Sequence, residues 1–162
     1  MSDSERESVL VPGGRDVRAT LDGPGAAGAC VVACPPHPQM GGRRTDRRLR
    51  AVSDALVDRG VACLRFDYGP WAEGEGERTD ARNALGWARE RYDAVGLFGY
   101  SFGGAVALLA AAAESAEGTP PDAVAALAPA GRLPAGLDAA AAVGEVDCPL
   151  QDVYGERDTN AG

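Results

Sequence analysis

Short apolar runs separated by polar and amphipathic stretches form the main pattern along the chain. The runs at 28–34, 61–66 and 94–98 are almost unbroken and have the length of one strand. Runs of this kind are typical of strands that are covered on both faces, as in a parallel sheet. The predicted strands are residues 8–11, 16–21, 28–34, 61–66, 94–98, 123–128 and 149–154.

Helical spacing of apolar residues occurs between these strands. In the segment 46–59, Leu49, Val52 and Leu56 recur at helical intervals, and Gly60 follows as a helix-ending residue. The predicted helices are residues 46–59, 79–91 and 103–113, and a glycine- and acid-rich loop is expected at 69–77. The alternation of strand and helix indicates an α/β fold with a mostly parallel sheet and helices on both faces.

The length of 162 residues fits one domain with a sizeable core. We expect residues 1–7 to be a disordered acidic N-terminus and residues 8–162 to form a single α/β domain. The polar start does not have the apolar stretch of a signal peptide, and the longest apolar run is too short to cross a bilayer. These features favour a cytoplasmic protein that does not enter a membrane.

The sequence around Ser101 carries the strongest chemical signal. Gly99 to Gly103 match the G-x-S-x-G pattern of a nucleophile elbow, with a predicted strand before it and a helix after it. A serine on so tight a turn has a strained backbone, and the two flanking glycines provide the room that it needs. The helix that follows directs its first amide, that of Phe102, to the place where an oxyanion forms. The pattern also arises by chance in a chain with 22 glycines, in which case Ser101 occupies an ordinary strand-to-helix turn.

A second loop, after the run 28–34, is expected to complete an oxyanion hole. Pro38 has no N–H group, so the backbone amide of Gln39, with that of Met40 as the alternative, is the candidate second donor. His37 is the only histidine in the sequence. Since it stands between prolines at a strand end, we expect it to brace this loop rather than to act as the general base.

The segment after the last predicted strand contains the candidate acid. In a Ser–Asp/Glu–His triad the acid follows the serine in the chain and lies just past a strand end, which favours Asp158. Asp152 lies within the strand-like run, and Glu156 is the weaker alternative. An ordinary solvated turn residue is the other interpretation of Asp158.

Composition narrows the partners and the setting. All 16 basic residues are Arg, against 24 Asp plus Glu, which gives a net charge of −8. This balance argues against nucleic-acid binding and fits either a GC-rich genome or a salt-adapted, halophilic host, which we favour. Five arginines between residues 43 and 50 could attract an anionic substrate, although such a run is more often a solvated helix face.

The four cysteines, Cys30, Cys34, Cys63 and Cys148, are scattered. Because no C-x-x-C pair or histidine cluster accompanies them, buried thiols in a reducing compartment are the favoured interpretation, and we expect neither a metal nor another cofactor.

Taken together, GYSFGG at 99–104, HPQMGG at 37–42, RFDY at 65–68 and YGERD at 154–158 resemble the α/β-hydrolase superfamily. Within it, the chain is similar to the small lidless branch of dienelactone-hydrolase-like serine hydrolases. The resemblance covers about residues 8–159, and it implies antiparallel first strands, Ser101 as the nucleophile and Asp158 as the triad acid. Dienelactone hydrolases proper use cysteine, so a serine here favours a general ester or thioester substrate.

The family takes its catalytic histidine from a loop beyond one further strand, and no such strand or histidine follows Asp158 in this sequence. We therefore expect a C-terminally truncated hydrolase whose last strand and helix are missing, leaving an exposed sheet edge through which two copies could pair.

The expected function is hydrolysis of a small ester or thioester through an acyl-enzyme on Ser101, with Met40, Tyr100 and Trp71 as candidate substrate contacts. The alternative is a catalytically inactive module that keeps the hydrolase shape for binding.

Overall fold

The computed structural model describes residues 6–24, 26–130, 133 and 137–153. The strands are β1 Arg6–Val11, β2 Val17–Asp22, β3 Ala29–Cys34, β4 Ala62–Phe66, β5 Ala94–Tyr100, β6 Ala123–Leu127 and β7 Leu150–Val153. The helices are α1 Arg47–Asp58, α2 Glu75–Arg89, α3 Phe102–Ala116 and α4 Ala139–Ala142, with short 3-10 turns at Pro38–Met40 and Val143–Glu145.

The seven strands form one sheet in the order β1-β2-β4-β3-β5-β6-β7. The first two pairings, β1 with β2 and β2 with β4, are antiparallel, and the strands from β4 to β7 run parallel to one another. This arrangement confirms the predicted α/β class and the mostly parallel sheet. The carboxyl ends of β3, β4 and β5 therefore meet at one edge, where open α/β sheets bind their ligands.

Alternating residues of the central strands supply two separate cores. Val32, Leu64 and Leu97 are buried in the larger core, to which α2 and α3 contribute. Ala33 and Cys63, which are next to Val32 and Leu64 in their strands, pack with Leu49 of α1 on the opposite face. Helices therefore cover both faces, as the sequence predicts.

Helix α2 begins earlier than expected. The loop predicted at 69–77 ends at Gly74, and Glu75 to Arg78 already form the first turn of the helix. The reason is a cap: the side chain of Glu77 accepts a hydrogen bond from the backbone N–H of Gly74, 2.8 Å away, and Gly74 itself has a φ of 99°. Acidic side chains in a first turn also interact favourably with the helix dipole, so the acid-rich stretch starts a helix instead of extending a loop.

The expectation that residues 1–7 are disordered is wrong for Arg6 and Glu7. Arg6 and Glu7 belong to β1, because Glu7 pairs with Leu21 in the sheet and Arg6 Nε lies 3.0 Å from Asp22 Oδ1. Residues 1–5 lie outside the described part of the chain.

No helix of the described residues covers the α1 face of the sheet beside β6 and β7. A groove of about 360 Å³ lies there, lined mainly by apolar side chains that include Leu56, Phe98, Ala125 and Leu150. Among the described residues, no helix has both the length and the apolar character needed to span a membrane.

Candidate active site

Ser101 occupies the sharp connection between β5 and α3. Its backbone angles, φ 57° and ψ −118°, lie in a region that residues with a side chain rarely adopt, and the residue is half-buried. The turn is held from both sides, because the Ser101 N–H donates to the carbonyl of Leu127 at 2.9 Å and the Ser101 carbonyl accepts from Ala130 at 3.2 Å. A strained serine at a strand-to-helix turn is the geometry of a nucleophile elbow.

The two flanking glycines have no room for a side chain. A Cβ atom on Gly99 would collide with the backbone of Gly103, and a Cβ atom on Gly103 would collide with the carbonyl oxygens of Cys34 and Pro35. The first turn of α3 therefore lies directly against the end of β3. This close approach places the loop after β3 beside the serine turn, as the predicted roles of Gly99 and Gly103 require.

Phe102 is the first residue of α3 and is buried. Backbone N–H groups in a first helical turn have no acceptor within the helix, and the positive end of the helix dipole lies at the same place. Phe102 therefore lies at a helix N-terminus, where an oxyanion donor is expected, and its role as that donor remains a prediction.

The loop after β3 forms a tight 3-10 turn, Pro38–Met40, whose two candidate donors are already engaged. The N–H of Gln39 donates to Nδ1 of His37 at 3.1 Å, and the N–H of Met40 donates to the His37 carbonyl at 3.0 Å. Gln39 can therefore serve an oxyanion only if it shares or releases its bond to the histidine ring. The oxyanion role of Gln39 remains a prediction.

His37 also packs against two aromatic rings. Its ring centroid lies 4.6 Å from that of Trp71 and 4.8 Å from that of Phe102. The ring of Tyr68 meets Phe102 edge-on at 5.6 Å, and the Tyr68 hydroxyl donates to the Pro35 carbonyl at 2.8 Å. These contacts join the 3-10 turn Pro38–Met40, which we term the oxyanion turn, with the elbow and the loop after β4 in one aromatic cluster. This packing is consistent with a bracing role for His37.

The candidate substrate contacts fall in different places. Trp71 lies in the aromatic cluster beside the elbow, whereas Tyr100 faces the α1 side, where the guanidinium of Arg48 lies 4.3 Å from its ring. Met40 projects from the turn and is 85% exposed. Of these three candidates, Trp71 is the one whose ring contacts that of Phe102, at 5.7 Å.

The arginine-rich segment is partly structural. Arg44 pairs with Asp67 and donates to the Thr20 hydroxyl, and the buried Arg65 donates to the Arg44 carbonyl at 2.6 Å. Arg48 pairs with Asp46 at 3.2 Å, and Asp46 also caps α1. At least two of the five arginines therefore hold the chain between the oxyanion turn and α1.

The candidate acid Asp158 lies outside the described residues, as does the alternative Glu156. Asp152 is an exposed residue of β7. The protein removes part of the water around its carboxyl, and this desolvation raises the pKa of the group. Within the described ranges, no group of three or more His, Cys, Asp and Glu side chains is arranged to hold a metal ion.

Residues that sequence analysis did not single out also shape the site. Glu77 and Asp80 are fully buried on α2, and Arg15 reaches them from the turn between β1 and β2. The available signal was their place on the apolar face of α2, in register with Ala81, Ala84 and Ala88, because an acid at such a position is buried and needs a partner.

Comparison with known proteins supports the fold. No protein-family model and no curated protein matches the chain. Among solved structures, it is similar to a lidless α/β serine hydrolase from Xanthomonas campestris, with 20% identity and a TM-score of 0.71 over 95% of this chain and 85% of that one. A dienelactone hydrolase from Anabaena variabilis matches with 22% identity and a TM-score of 0.77 over 97% of this chain and 77% of that one.

A third similar structure is an α/β serine hydrolase homologue from Coxiella burnetii, with 18% identity, a TM-score of 0.68 and coverage of 96% and 88% of the two chains. Identities at this level show the fold alone. The chain has the fold of these α/β hydrolases, and the predicted fold is confirmed.

Proposed function

We propose that this protein is a serine hydrolase that cleaves a small ester or thioester through an acyl-enzyme on Ser101. The observation that carries the proposal is the backbone of Ser101, φ 57° and ψ −118°, at the start of α3 between glycines that cannot bear a side chain. Such strain persists only where the surroundings enforce it, and it is concentrated at functional sites. The fold shared with serine hydrolases adds support.

In this mechanism Ser101 Oγ attacks the acyl carbon, and its proton passes to a general base. The carbonyl oxygen becomes an oxyanion, which accepts hydrogen bonds from the N–H of Phe102 and from the N–H of Gln39, which it shares with His37 Nδ1. The leaving alcohol or thiol takes the proton, and water then hydrolyses the ester formed on Ser101. Trp71 is the wall of the acyl pocket.

The proposal places the base on a histidine that is not among these 162 residues, with Asp158 as the acid that orients it. His37 is the only histidine here, and its Nδ1 accepts the Gln39 N–H. A neutral imidazole in this arrangement carries its proton on Nε2, so neither ring nitrogen has a free lone pair for the serine proton. A longer form of the chain, or a partner, would supply the missing group.

Labelling with a fluorophosphonate tests the proposal. The 162-residue protein, its Ser101→Ala variant and a C-terminally extended form are compared with and without added imidazole, which can stand in for a missing histidine ring. We expect Ser101 to be labelled in the extended form, and slowly in the short form with imidazole. A folded protein that stays unlabelled at Ser101 in every form contradicts the proposal.

The alternative function is a catalytically inactive binding module. It is favoured by one observation, the engagement of both candidate donors of the oxyanion turn by His37. A folded but unlabelled extended form is the outcome that supports it.

A further inference from the structure

The segment Gly69–Gly74, which we term the Trp71 loop, lies between β4 and α2 and has no regular structure. Its shape is set by side chains of α2. Asp80 accepts the N–H of Gly69 at 2.9 Å, and Glu77 accepts the N–H groups of Ala72 and Gly74 at 2.9 Å and 2.8 Å. Two carboxylates thus hold three backbone amides of one short loop.

Both carboxylates are fully buried, which is costly unless a cation accompanies them. Burial raises the pKa of Asp80, against the opposing effect of the Arg15 guanidinium. Arg15 Nε donates to Asp80 Oδ1 at 2.6 Å and Nη2 to Oδ2 at 3.2 Å, while Nη2 lies 3.7 Å from Glu77 Oε2. One guanidinium therefore neutralises part of the charge of both acids.

The same guanidinium contacts the loop itself. Arg15 Nη2 donates to the carbonyl of Pro70, the residue before Trp71, at 2.7 Å. Its fork lies between two glycines: a Cβ atom on Gly76 would come within 2.6 Å of Nη1, and one on Gly69 within 3.1 Å of Nη2. Arg15 comes from the distant turn between β1 and β2, so this close fit is a tertiary contact and not a local one.

We infer that Arg15 is a positioning residue that holds the Trp71 ring against His37 and Phe102. It fixes the carbonyl before Trp71, while Asp80 and Glu77 fix the amides on either side. Trp71 in turn packs against the His37 ring, whose Nδ1 accepts the Gln39 N–H. The effect of Arg15 on catalysis rests on the proposed hydrolase function, whereas its effect on the Trp71 ring does not.

The test uses the fluorescence of Trp71 in the full chain. The sequence has two tryptophans, so a Trp87→Phe background leaves Trp71 as the sole emitter. Arg15→Gln is compared with Arg18→Gln, which removes the same charge from an exposed position of β2 in the same hairpin. We expect Arg15→Gln to raise the acrylamide quenching constant of Trp71 roughly two-fold, with Arg18→Gln unchanged, because lost charged hydrogen bonds release the loop locally.

Arg15→Lys keeps the charge but cannot form the bidentate contact with Asp80. Its quenching constant is the deciding measurement if Arg15→Gln does not fold. Quenching that rises in Arg15→Lys as well supports the inference. Native quenching in a folded Arg15→Gln protein, or in Arg15→Lys where Arg15→Gln is unfolded, overturns it. Because quenching needs no turnover, a protein that shows the rise but never hydrolyses an ester refutes the proposed function and leaves the positioning role intact.

Steady-state kinetics provide a second measurement. They are carried out on whichever form of the protein, short or C-terminally extended, hydrolyses esters. If Trp71 is the wall of the acyl pocket and Arg15→Gln releases it, KM for a long-chain ester should rise several-fold. The kcat for the acetyl ester should change by less than about two-fold. A purely structural loss lowers the active fraction, and so lowers kcat for both esters equally. An equal fall for both esters together with native quenching also overturns the inference.

Discussion

The Nδ1 atom of His37 accepts a hydrogen bond from the backbone N–H of Gln39, 3.1 Å away, two residues along the chain. The ring is therefore part of the oxyanion turn, and its lone pair serves the turn instead of the nucleophile. An asparagine can form the same type of turn through its side-chain oxygen but cannot act as a base at neutral pH.

His37→Asn should therefore keep fluorophosphonate labelling of Ser101 within about three-fold of the wild-type rate, whereas His37→Ala, which removes the acceptor, should slow it roughly ten-fold. The labelling rate with imidazole present is the measurement. If His37→Asn is as inert as Ser101→Ala while still folded, His37 is the base after all.

The elbow glycines should be intolerant of a methyl group. Gly103→Ala places its Cβ atom against the Cys34 and Pro35 carbonyls, and we expect a loss of about 3 kcal/mol in the free energy of unfolding. Gly86→Ala, in the last turn of α2, is the matched control, since the added carbon has no tertiary neighbour within 4 Å. There we expect a gain of about 0.5–1 kcal/mol. Urea denaturation measures both, and equal effects would contradict the close packing at the elbow.

Asp22 should make stability depend on acid pH. Burial raises the pKa of its carboxyl, but hydrogen bonds from Arg65, Ser53 and Arg6 outweigh burial, and the folded pKa is lowered. The stability that Asp22 contributes is therefore present above its unfolded pKa, near 3.9, and is lost as the pH falls through the lower folded value.

Asp22→Asn should cost about 3 kcal/mol at pH 7, because it leaves Arg65 buried without its charge partner, and should flatten the stability curve below about pH 5. Asp58→Asn, on the exposed end of α1, is the control. Urea unfolding between pH 3 and 7 tests this, and parallel curves for Asp22→Asn and wild type would show that the pKa is not lowered.

The thiols should differ sharply in reactivity. Burial raises the pKa of the Cys30 and Cys63 thiols to about 12, and also raises that of Cys34, which is fully buried. Cys148 is only half-buried, so DTNB should modify it first in the native protein and reach the other three only on unfolding. A fast-reacting thiol that persists in a folded Cys148→Ser variant is the contrary result.

Much of the fold can be predicted from the sequence because its signals are local. The apolar runs around Val32, Leu64 and Leu97 have strand length, and the glycines beside Ser101 specify a tight turn whatever surrounds them. The parallel direction of these strands then follows from the helices that connect them. The start of α2 cannot be predicted in this way, because the residue before the helix is Gly74 and not a conventional polar cap, and its N–H donates to the Glu77 side chain.

The parts of the site that could not be predicted depend on distant pairs. Arg15 and Asp80 are 65 positions apart, and no local pattern connects them. Likewise, a linear motif names Gln39 as a donor without showing that His37 already accepts its N–H. The role of Asp158 stays a prediction, since that residue lies outside the described part of the chain.

The groove on the α1 face of the sheet predicts that any pairing of two copies through it responds to ions. Salt screens the repulsion between chains of net charge −8, and sulfate strengthens the burial of apolar surface such as that around Phe98 and Leu150. Two copies that pair through this face should therefore associate more strongly as sulfate rises, as measured by sedimentation equilibrium.

Ala125→Glu in the groove should abolish that rise, and Leu10→Glu, at a leucine that is 63% exposed on the far edge strand, should leave it unchanged. Equal effects of the two substitutions would exclude the groove. We therefore predict that, if two copies pair through this groove, the acidic charge of the chain makes their association strengthen with ionic strength.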